Sequence, residues 1–403
     1  MSDAAWQGRW SLGIAAFTLA VQNGIVMAFG VLYLPIVEEL QRSRGEVAGL
    51  QSLVLLLGGA TGPLIGYLLD RVGPRWLFQS GALLAAAGLL LSSQAQSLTA
   101  LYFTYGILCG LGLAAFGSQA NMVVAALWHP QARGRAIAIA DLGTGFGAFA
   151  FIPLTQALIS SFGWRAALVV WAVLLAGLVI PANHFQRMPP EGSGRNPSDM
   201  GETAPWSVAE AFRTPAFWWL SFLRFVTAIG FPLVNVHLIA SAIGAGISPV
   251  TAATALGSVS LVSLLGRILT GWLSDRLGRA PTLTLTFASA IAGIVSLVLL
   301  GITRDPGWLV AFVAFYGLAQ GSGGIVSAAR AADCFAGPSF GTIYGWIVLA
   351  TGPGEAFGAY LGGAIYDLTG SYLWAFLSAI TALLFGVLAI WQIRQPPSPV
   401  RST

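Results

Sequence analysis

One arginine stands alone inside an apolar run, where its chemistry points to a binding role. Arg267 lies in the stretch SLLGRILTGWLSDRLGR, eight residues before Asp275. At about 1.5 Å per residue, it lies about 12 Å inside a helix that ends near Asp275. A guanidinium at that depth in a bilayer costs at least about 2.5 kcal/mol, so it should face a water-filled cavity or a partner. Its planar fork fits a carboxylate. We predict that Arg267 binds an organic anion; the alternative is a structural ion pair with an acid on another helix.

Three further charged residues lie inside apolar runs. Arg224 follows Pro215 by nine residues, which places it about 13 Å into its helix. It is a candidate second anion contact, or it pairs with an acid. Asp141 and Glu355 are the carboxylates well inside such runs. Occupation of an arginine by a substrate anion would change the protonation of an acid beside it. Both acids are therefore candidates for proton coupling, although Asp141 also fits a carboxylate near a helix start.

Several uncharged or weakly basic groups complete the candidate set. His237 is the histidine placed inside an apolar run, and it either takes part in proton movement or packs between helices. Asn23, Asn121, Tyr316 and Gln320 could orient a substrate. The alternative for each is a hydrogen bond to a neighbouring helix, worth about 0.6 to 2 kcal/mol.

Catalysis is not indicated by the sequence. The three histidines are scattered, and the chain has neither a phosphate-binding loop nor a cluster with metal-ligand spacing. No arrangement of nucleophile, base and orienting group can be assembled from such residues. We therefore expect no enzyme activity, no cofactor and no metal site.

The composition requires a membrane environment for the elements that position these residues. Of 403 residues, 8% are charged and 56% are hydrophobic, whereas soluble domains carry roughly 25% charged residues. Apolar stretches of 20 or more residues recur, and each is long enough to cross a bilayer core of about 30 Å. The net charge of +4 comes entirely from arginine. Since these arginines mostly lie in short loops, topology control explains them better than a nucleic-acid partner.

Twelve membrane spans are predicted, and we number them in chain order. Thirteen of the nineteen arginines fall on one set of loops and termini and four on the other, with two inside spans. The positive-inside rule then places both termini in the cytoplasm, and we read the first span as uncleaved. A long polar stretch separates an N-terminal half at 1–187 from a C-terminal half at 214–403, with a cytoplasmic linker at 188–213. The spans lie near 11 to 37, 46 to 69, 75 to 95, 98 to 126, 134 to 160, 166 to 186, 215 to 243, 249 to 273, 281 to 302, 307 to 332, 340 to 366 and 372 to 393.

The two halves repeat each other in sequence. GYLLDRVGPR from Gly66 matches GWLSDRLGRA from Gly271 at an offset of 205, YGILCGLG matches YGLAQGSG at 211, and TGFG matches TGPG at 207. Such duplication implies two pseudo-symmetric six-helix halves with a central site between them. At the same offset the counterpart of Arg267 is Gly62. The arginine is therefore an addition to the shared plan.

The repeated Gly-x-Leu-x-Asp-Arg-x-Gly stretch resembles the signature of the major facilitator superfamily. Several other stretches are similar to bacterial members of its monocarboxylate porter group, among them FGVLYLPIVEELQRSRGEV, WHPQARGRAIAIADLGTGFG, FGWRAAL, FGTIYGWIVLATGPGEAFG and GGAIYDLTGSY. The resemblance implies an all-α fold of twelve transmembrane helices, a substrate-binding arginine at Arg267 and a latch on the cytoplasmic side. Relatives often carry an acid where this chain has Ser263. The latch residues would be Asp70, Arg71, Arg75, Asp275 and Arg276.

These observations together predict a secondary transporter in a bacterial inner membrane. The expected substrate is a small organic acid, a monocarboxylate such as lactate or pyruvate, moved with a proton by alternating access. Three alternatives remain open: an exchanger of anions such as oxalate and formate, an efflux pump, and a sensor built on the same fold. The expected partners are the organic acid, the proton and the lipid bilayer.

Overall fold

A computed structural model describes residues 3–129, 133–189, 206–335 and 340–396 of the chain. Within these ranges the chain folds into helices and short connections, without a β-strand. Most of the predicted linker at 188–213 lies outside the described residues. The helices are α1 (Asp3–Leu40), α2 (Arg44–Ala60), α3 (Gly62–Ser93), α4 (Leu98–Leu101), a π-helix (Tyr102–Cys109), α5 (Gly110–Ala115), α6 (Ser118–Trp128), α7 (Arg133–Leu174), a second π-helix (Leu175–Val179), α8 (Ile180–Asn183), α9 (Val208–Phe212), α10 (Pro215–Gly244), α11 (Pro249–Leu277), α12 (Arg279–Thr303), α13 (Gly307–Ala319), α14 (Ser322–Phe335), α15 (Phe340–Leu349), α16 (Thr351–Thr369) and α17 (Leu373–Gln392).

The twelve predicted spans all correspond to helices. Nine helices of the described chain are long and apolar enough to cross a membrane. Two of them cover more than one span, because α3 and α7 each contain a glycine with non-helical backbone, Gly73 at φ 79° and Gly163 at φ 82°. Glycine adopts positive φ without a steric penalty, so each residue allows the chain to leave one span and enter the next. Span 2 is α2 with the start of α3, and span 11 is α15 with α16.

Local sequence signals explain where the helices begin. Ser43 forms a capping box at the start of α2: its Oγ accepts from the Glu46 amide at 3.2 Å, and its own amide donates to the Glu46 carboxylate at 3.0 Å. The helices α10 and α11 each begin with a proline after a capping hydroxyl, Thr214 or Ser248. Proline at the first helical position lacks only an amide that has no partner there. These caps fix the entry points of spans 2, 7 and 8.

The two halves contact each other most extensively along two pairs of spans. Span 2 packs on span 11, and span 5 packs on span 8. At the first pair the backbones approach closely where Gly59 meets Gly352, since a Cβ atom on Gly352 would lie 3.0 Å from the Cα of Gly59. At the second pair Gly145 lies against the side chain of Leu264. Small residues allow such close packing between membrane helices.

Candidate functional site

A cavity of about 310 Å³ lies between the two halves, near the middle of the spans. Four residues predicted from the sequence line it: Arg224, Arg267, Gln320 and Glu355. The remaining lining consists of apolar side chains and glycines from spans 1, 2, 7, 10 and 11, and of four polar residues that the sequence did not single out, namely Gln51, Thr227, Asn235 and Thr351. The arrangement is an apolar chamber with a few cationic, acidic and amide groups.

Arg267 already has an acidic partner in this structure. Its Nη1 forms an ion pair with the Oδ2 of Asp141, and the two side chains are 26% and 22% exposed. Arg267 belongs to α11 in the C-terminal half and Asp141 to α7 in the N-terminal half. The pair therefore joins the two halves as well as compensating the charge of the guanidinium.

Arg224 has a different environment. Its Nε donates to the hydroxyl of Thr351 at 3.2 Å, and none of the described carboxylates forms an ion pair with it. Glu355 follows Thr351 by one helical turn, so both residues lie on one face of α16, and Glu355 lines the same cavity as Arg224. The Glu355 carboxylate has no hydrogen bond or ion pair to another described residue. The cavity thus contains one guanidinium that only a neutral hydroxyl satisfies.

A break in span 10 brings the two guanidiniums to the same place. Between α13 and α14, Gly321 adopts φ 86°, a conformation that favours glycine. A Cβ atom on Gly321 would lie 2.6 Å from the Nε of Arg267, and one on Gly324 would lie 3.2 Å from the Nη1 of Arg224. Both cations therefore lie against one turn of the chain. This turn, which we call the glycine cradle, brings the backbone of Gly321 and Gly324 close to the two cations.

The other predicted site residues do not line the central cavity. Asn23 donates to the Thr144 carbonyl at 2.8 Å and joins span 1 to span 5. Asn121 donates to the carbonyl of Phe116 at 2.8 Å, where span 4 is interrupted. These two amides satisfy the backbone of their own or a neighbouring helix. Their contacts correspond to the structural alternative that the sequence left open.

Tyr316 and His237 are fully buried between helices. The Tyr316 hydroxyl donates to the Phe231 carbonyl at 3.1 Å and contacts the Oδ1 of Asn235 at 3.3 Å, so it supports a lining residue from behind. The Nε2 of His237 lies 3.0 Å from the Ala359 carbonyl, and its ring packs edge-on against a tyrosine ring. Neither side chain reaches the cavity.

The predicted latch has other contacts than expected. Asp275 pairs with Arg279 at 2.7 Å, and Arg279 also binds Asp333 of α14 at 3.1 Å. The partner of Asp275 in this structure is thus an arginine at the start of α12, one turn further along the chain than the predicted latch residue Arg276. Arg276 instead lies over the Trp272 ring, with its Cζ 4.2 Å from the ring centre.

The first copy of the latch motif makes no ion pair among the described side chains. Asp70 is exposed, and Arg71 donates to the hydroxyl of Tyr67. The Cζ of Arg75 lies 5.1 Å from the Trp76 ring centre. In this structure the first copy therefore engages aromatic groups of its own segment.

The two halves also contact each other where α2 begins and α16 ends. We call this end of the molecule the outer side, because the predicted topology places both termini at the opposite, cytoplasmic end. Asp367 in the C-terminal half accepts hydrogen bonds from the amides of Arg44 at 2.9 Å and Gly45 at 2.6 Å. First-turn amides lack partners within their helix, and the helix dipole favours a negative charge there. The Arg44 Cζ lies 3.8 Å from the Tyr366 ring centre. A carboxylate of one half thus caps a helix of the other half.

Comparison with known proteins assigns the chain to one family of transporters. The model of the Major Facilitator Superfamily matches residues 12–324. Monocarboxylate transporter 13 of Rattus norvegicus is 28% identical over 393 residues, which cover 95% of this chain and 88% of that protein. Monocarboxylate transporter 2 of Homo sapiens is 25% identical and covers 93% of this chain and 83% of its own length.

A bacterial relative and a solved structure extend the comparison. An uncharacterized MFS-type transporter of Bacillus subtilis, YcxA, is 22% identical over 96% of this chain and 94% of its own. The crystal structure of a bacterial homolog of the human lysosomal transporter Spinster, in an inward-facing and occupied conformation, superposes with a TM-score of 0.71. It is 16% identical and covers 94% of each chain. At that identity the likeness concerns the fold alone.

Proposed function

The chain belongs to the Major Facilitator Superfamily and is an integral multi-pass membrane transporter; on this basis we propose that it moves a small monocarboxylate together with a proton. The observation that carries the proposal is the pair of guanidiniums, Arg224 and Arg267, against one glycine turn of the central cavity. The names of the monocarboxylate transporter relatives support the substrate class.

The charges in the cavity favour an anionic substrate. Arg267 has Asp141 as a partner, whereas Arg224 has only a hydroxyl and the nearby acid Glu355. Guanidinium binds carboxylate with two parallel, charge-assisted hydrogen bonds, which a hydroxyl cannot replace. A substrate carboxylate is therefore expected to bind Arg224 and to compete with Asp141 for Arg267.

The cavity size favours a small molecule. A volume of about 310 Å³ is at the lower limit of ligand pockets, which range from about 300 to 1,000 Å³. An acid of a few carbon atoms fits this space.

Glu355 is the proposed proton carrier. When Glu355 is ionised, its charge compensates Arg224, and the substrate has no net positive charge to bind. Binding of one proton to Glu355 and one carboxylate to Arg224 leaves the total charge of the cavity unchanged. Coupled uptake of an anion and a proton then follows from charge balance in a medium of low dielectric.

The ion pair between Arg267 and Asp141 gives this binding a mechanical consequence. Because the pair joins α11 to α7, any substrate that takes Asp141's place on Arg267 loosens one contact between the halves. The halves then rock about the occupied site, as alternating access requires. The distribution of the arginines supports cytoplasmic termini, and the proposed setting is a bacterial inner membrane.

Uptake by reconstituted protein tests the proposal. Liposomes containing the protein are given labelled lactate, pyruvate, acetate or oxalate, with and without an inward proton gradient. We expect acid uptake that the gradient accelerates. Acid uptake that ignores the gradient but needs an internal anion would establish exchange instead, and no uptake of any acid would refute the proposal.

A matched pair of variants tests the role of the cation. Arg224→Gln is expected to lower uptake at least about thirtyfold, since loss of one partner from a buried charge pair costs about 2 to 5 kcal/mol. Arg42→Gln removes an equal charge from the exposed outer loop and is expected to change uptake less than twofold. Equal uptake by the two variants would remove Arg224 from the binding site. Arg267→Lys, which keeps charge without the fork, is expected to lose most uptake.

A further inference from the structure

An open groove on the surface of the N-terminal half is separate from the central cavity. It has a volume of about 710 Å³ and shares no described lining residue with that cavity. Trp6, Trp10, Gly13 and Phe17 follow one another at helical spacing and form one exposed face of α1. Trp6 and Trp10 are 54% and 56% exposed. The described lining consists of these four residues, Arg9 and Ile14 of α1, and Ala182 of α8.

The groove crosses the boundary between the lipid headgroups and the hydrocarbon core. The first predicted span begins near residue 11, whereas α1 begins at Asp3, so Trp6 and Trp10 lie in the helical turns before the span. Their ring centres are 5.5 Å apart, and tryptophan is enriched at membrane interfaces. Phe17 lies about 10 Å beyond Trp10 along the helix axis, inside the span. The predicted topology places the tryptophan end of the groove on the cytoplasmic side.

Two arginines lie at the headgroup end of the groove. Arg9 lines the groove between the two tryptophans and is exposed. Arg187 is also exposed and follows Gln186, which is bonded to α1. The Ser11 Oγ donates to the Oε1 of Gln186 at 2.6 Å, and the Nε2 of Gln186 donates to the Ser11 carbonyl at 3.1 Å. None of the described carboxylates forms an ion pair with either arginine. The groove thus combines apolar walls with positive charge at one end.

We propose that this groove binds an anionic phospholipid of the cytoplasmic leaflet, with the headgroup phosphate on Arg9 and an acyl chain along Trp10, Gly13 and Phe17. Guanidinium binds phosphate with two parallel hydrogen bonds, and basic pockets between membrane helices on this side are typical sites for anionic headgroups. A zwitterionic lipid adds an ammonium group, for which the described lining offers no carboxylate. The inference does not depend on which substrate the protein carries.

The lipid belongs to one half of the transporter. Both walls of the groove, α1 and α8, lie in the N-terminal half. The same two helices are joined where the Nδ2 of Asn183 donates to the Oγ1 of Thr18 at 2.9 Å. A lipid in the groove therefore lies across the junction of spans 1 and 6. It moves with this half during transport and leaves the contacts between the halves free.

Lipid binding to the purified protein tests the inference. Protein in an uncharged detergent is titrated with phosphatidylglycerol or phosphatidylethanolamine of identical acyl chains, and bound lipid is counted by native mass spectrometry. We expect phosphatidylglycerol to bind at least about fivefold more tightly, since one arginine near an anionic headgroup contributes about that factor. Equal affinities would overturn the inference. An excess of glycerol 3-phosphate, which has no acyl chain, is expected to leave the lipid bound. If it displaces the lipid, the ligand is a free phosphate and the proposal is wrong.

Two pairs of variants assign the binding to this groove. Arg9→Gln is expected to weaken phosphatidylglycerol binding about fivefold, whereas Arg42→Gln, which removes an equal charge from the exposed outer loop, keeps it. Gly13→Phe fills the groove and is expected to exclude the lipid while both arginines remain, since a Cβ there meets no atom within 4 Å. Gly177→Phe, at an equally open glycine outside the groove, is expected to keep the lipid. Unchanged binding in either Arg9→Gln or Gly13→Phe would exclude this groove. All four positions are exposed, so the unfolding midpoint without lipid should stay that of the wild type.

Discussion

The ion pair between Arg267 and Asp141 makes a quantitative prediction, because it has two separable tasks. It ties α7 to α11, and it holds the arginine that faces the cavity. Removing one partner from a fully buried pair costs about 3 to 5 kcal/mol, whereas an exposed pair contributes at most about 1 kcal/mol. With about a quarter of each side chain exposed, we expect Asp141→Asn to lower the free energy of unfolding by about 2 to 3 kcal/mol. In detergent this corresponds to a fall of about 3 °C in the unfolding midpoint, because the entropy of unfolding grows with chain length.

A charge swap separates the tie from the binding role. Asp141→Arg combined with Arg267→Asp restores an ion pair between the halves but moves the guanidinium from α11 to α7. We expect the unfolding midpoint to recover most of the loss seen in the single variants, while uptake of organic acid stays near the background of empty liposomes. If the swap restores uptake together with stability, Arg267 is only a structural partner and the substrate-binding argument is wrong. An unchanged midpoint in Asp141→Asn would refute the tie.

Three further predictions concern the proton carrier, the contact on the outer side and the glycine cradle. Glu355→Gln is expected to keep the exchange of internal for external acid and to lose acceleration by an inward proton gradient, and gradient-driven uptake in this variant would exclude Glu355. Asp367→Ala removes two hydrogen bonds of about 1 kcal/mol each, which favours opening of this end about thirtyfold. A cysteine introduced by Ala364→Cys, with Cys109 and Cys334 replaced by alanine, should then react up to about thirtyfold faster with an impermeant maleimide; an unchanged rate would contradict this contact between the halves. Gly321→Ala should abolish uptake, since its Cβ would lie 2.6 Å from the Arg267 Nε, whereas Gly301→Ala, with open space around it, should not.

The membrane spans and the deep charges were predictable from the sequence, and the physical reason is the same for both. Burial of a charge in lipid is costly, so Arg224 and Arg267, each isolated in an apolar run, are expected to face a cavity or a partner inside the helix bundle. Glu355 follows the same rule, and all three residues line the central cavity. The predicted spans still correspond to helical segments where α3 and α7 each run through two spans. This is because hydropathy depends on composition and not on the continuity of a helix.

Neutral polar residues were less predictable, because they can satisfy themselves on a backbone carbonyl. Asn23 and Asn121 do so, and neither lines the cavity. Gln51 and Thr227 do line it, although the sequence offers no more than an amide and a hydroxyl in apolar helices. The difference depends on how each helix is rotated about its axis, which the packing of neighbouring helices decides. A sequence gives depth along a span more readily than direction around it.

Comparison of the two repeats shows that the polar and charged residues of the cavity are distributed unequally between the halves. At the offsets of the repeated motifs, the counterparts of Arg267, Glu355 and Gln320 are Gly62, Ala148 and Cys109, and the counterpart of Gln51 is Leu256. Each of these four residues is thus absent from the duplicated plan. The repeat provides two similar six-helix halves that can move relative to each other. The residues that are not duplicated determine which substrate promotes that movement. Both guanidiniums of the cavity lie in the C-terminal half, so the charge of the site is not shared equally between the halves. This asymmetry follows from a functional demand on the site, since helix packing alone would be served equally well by identical halves.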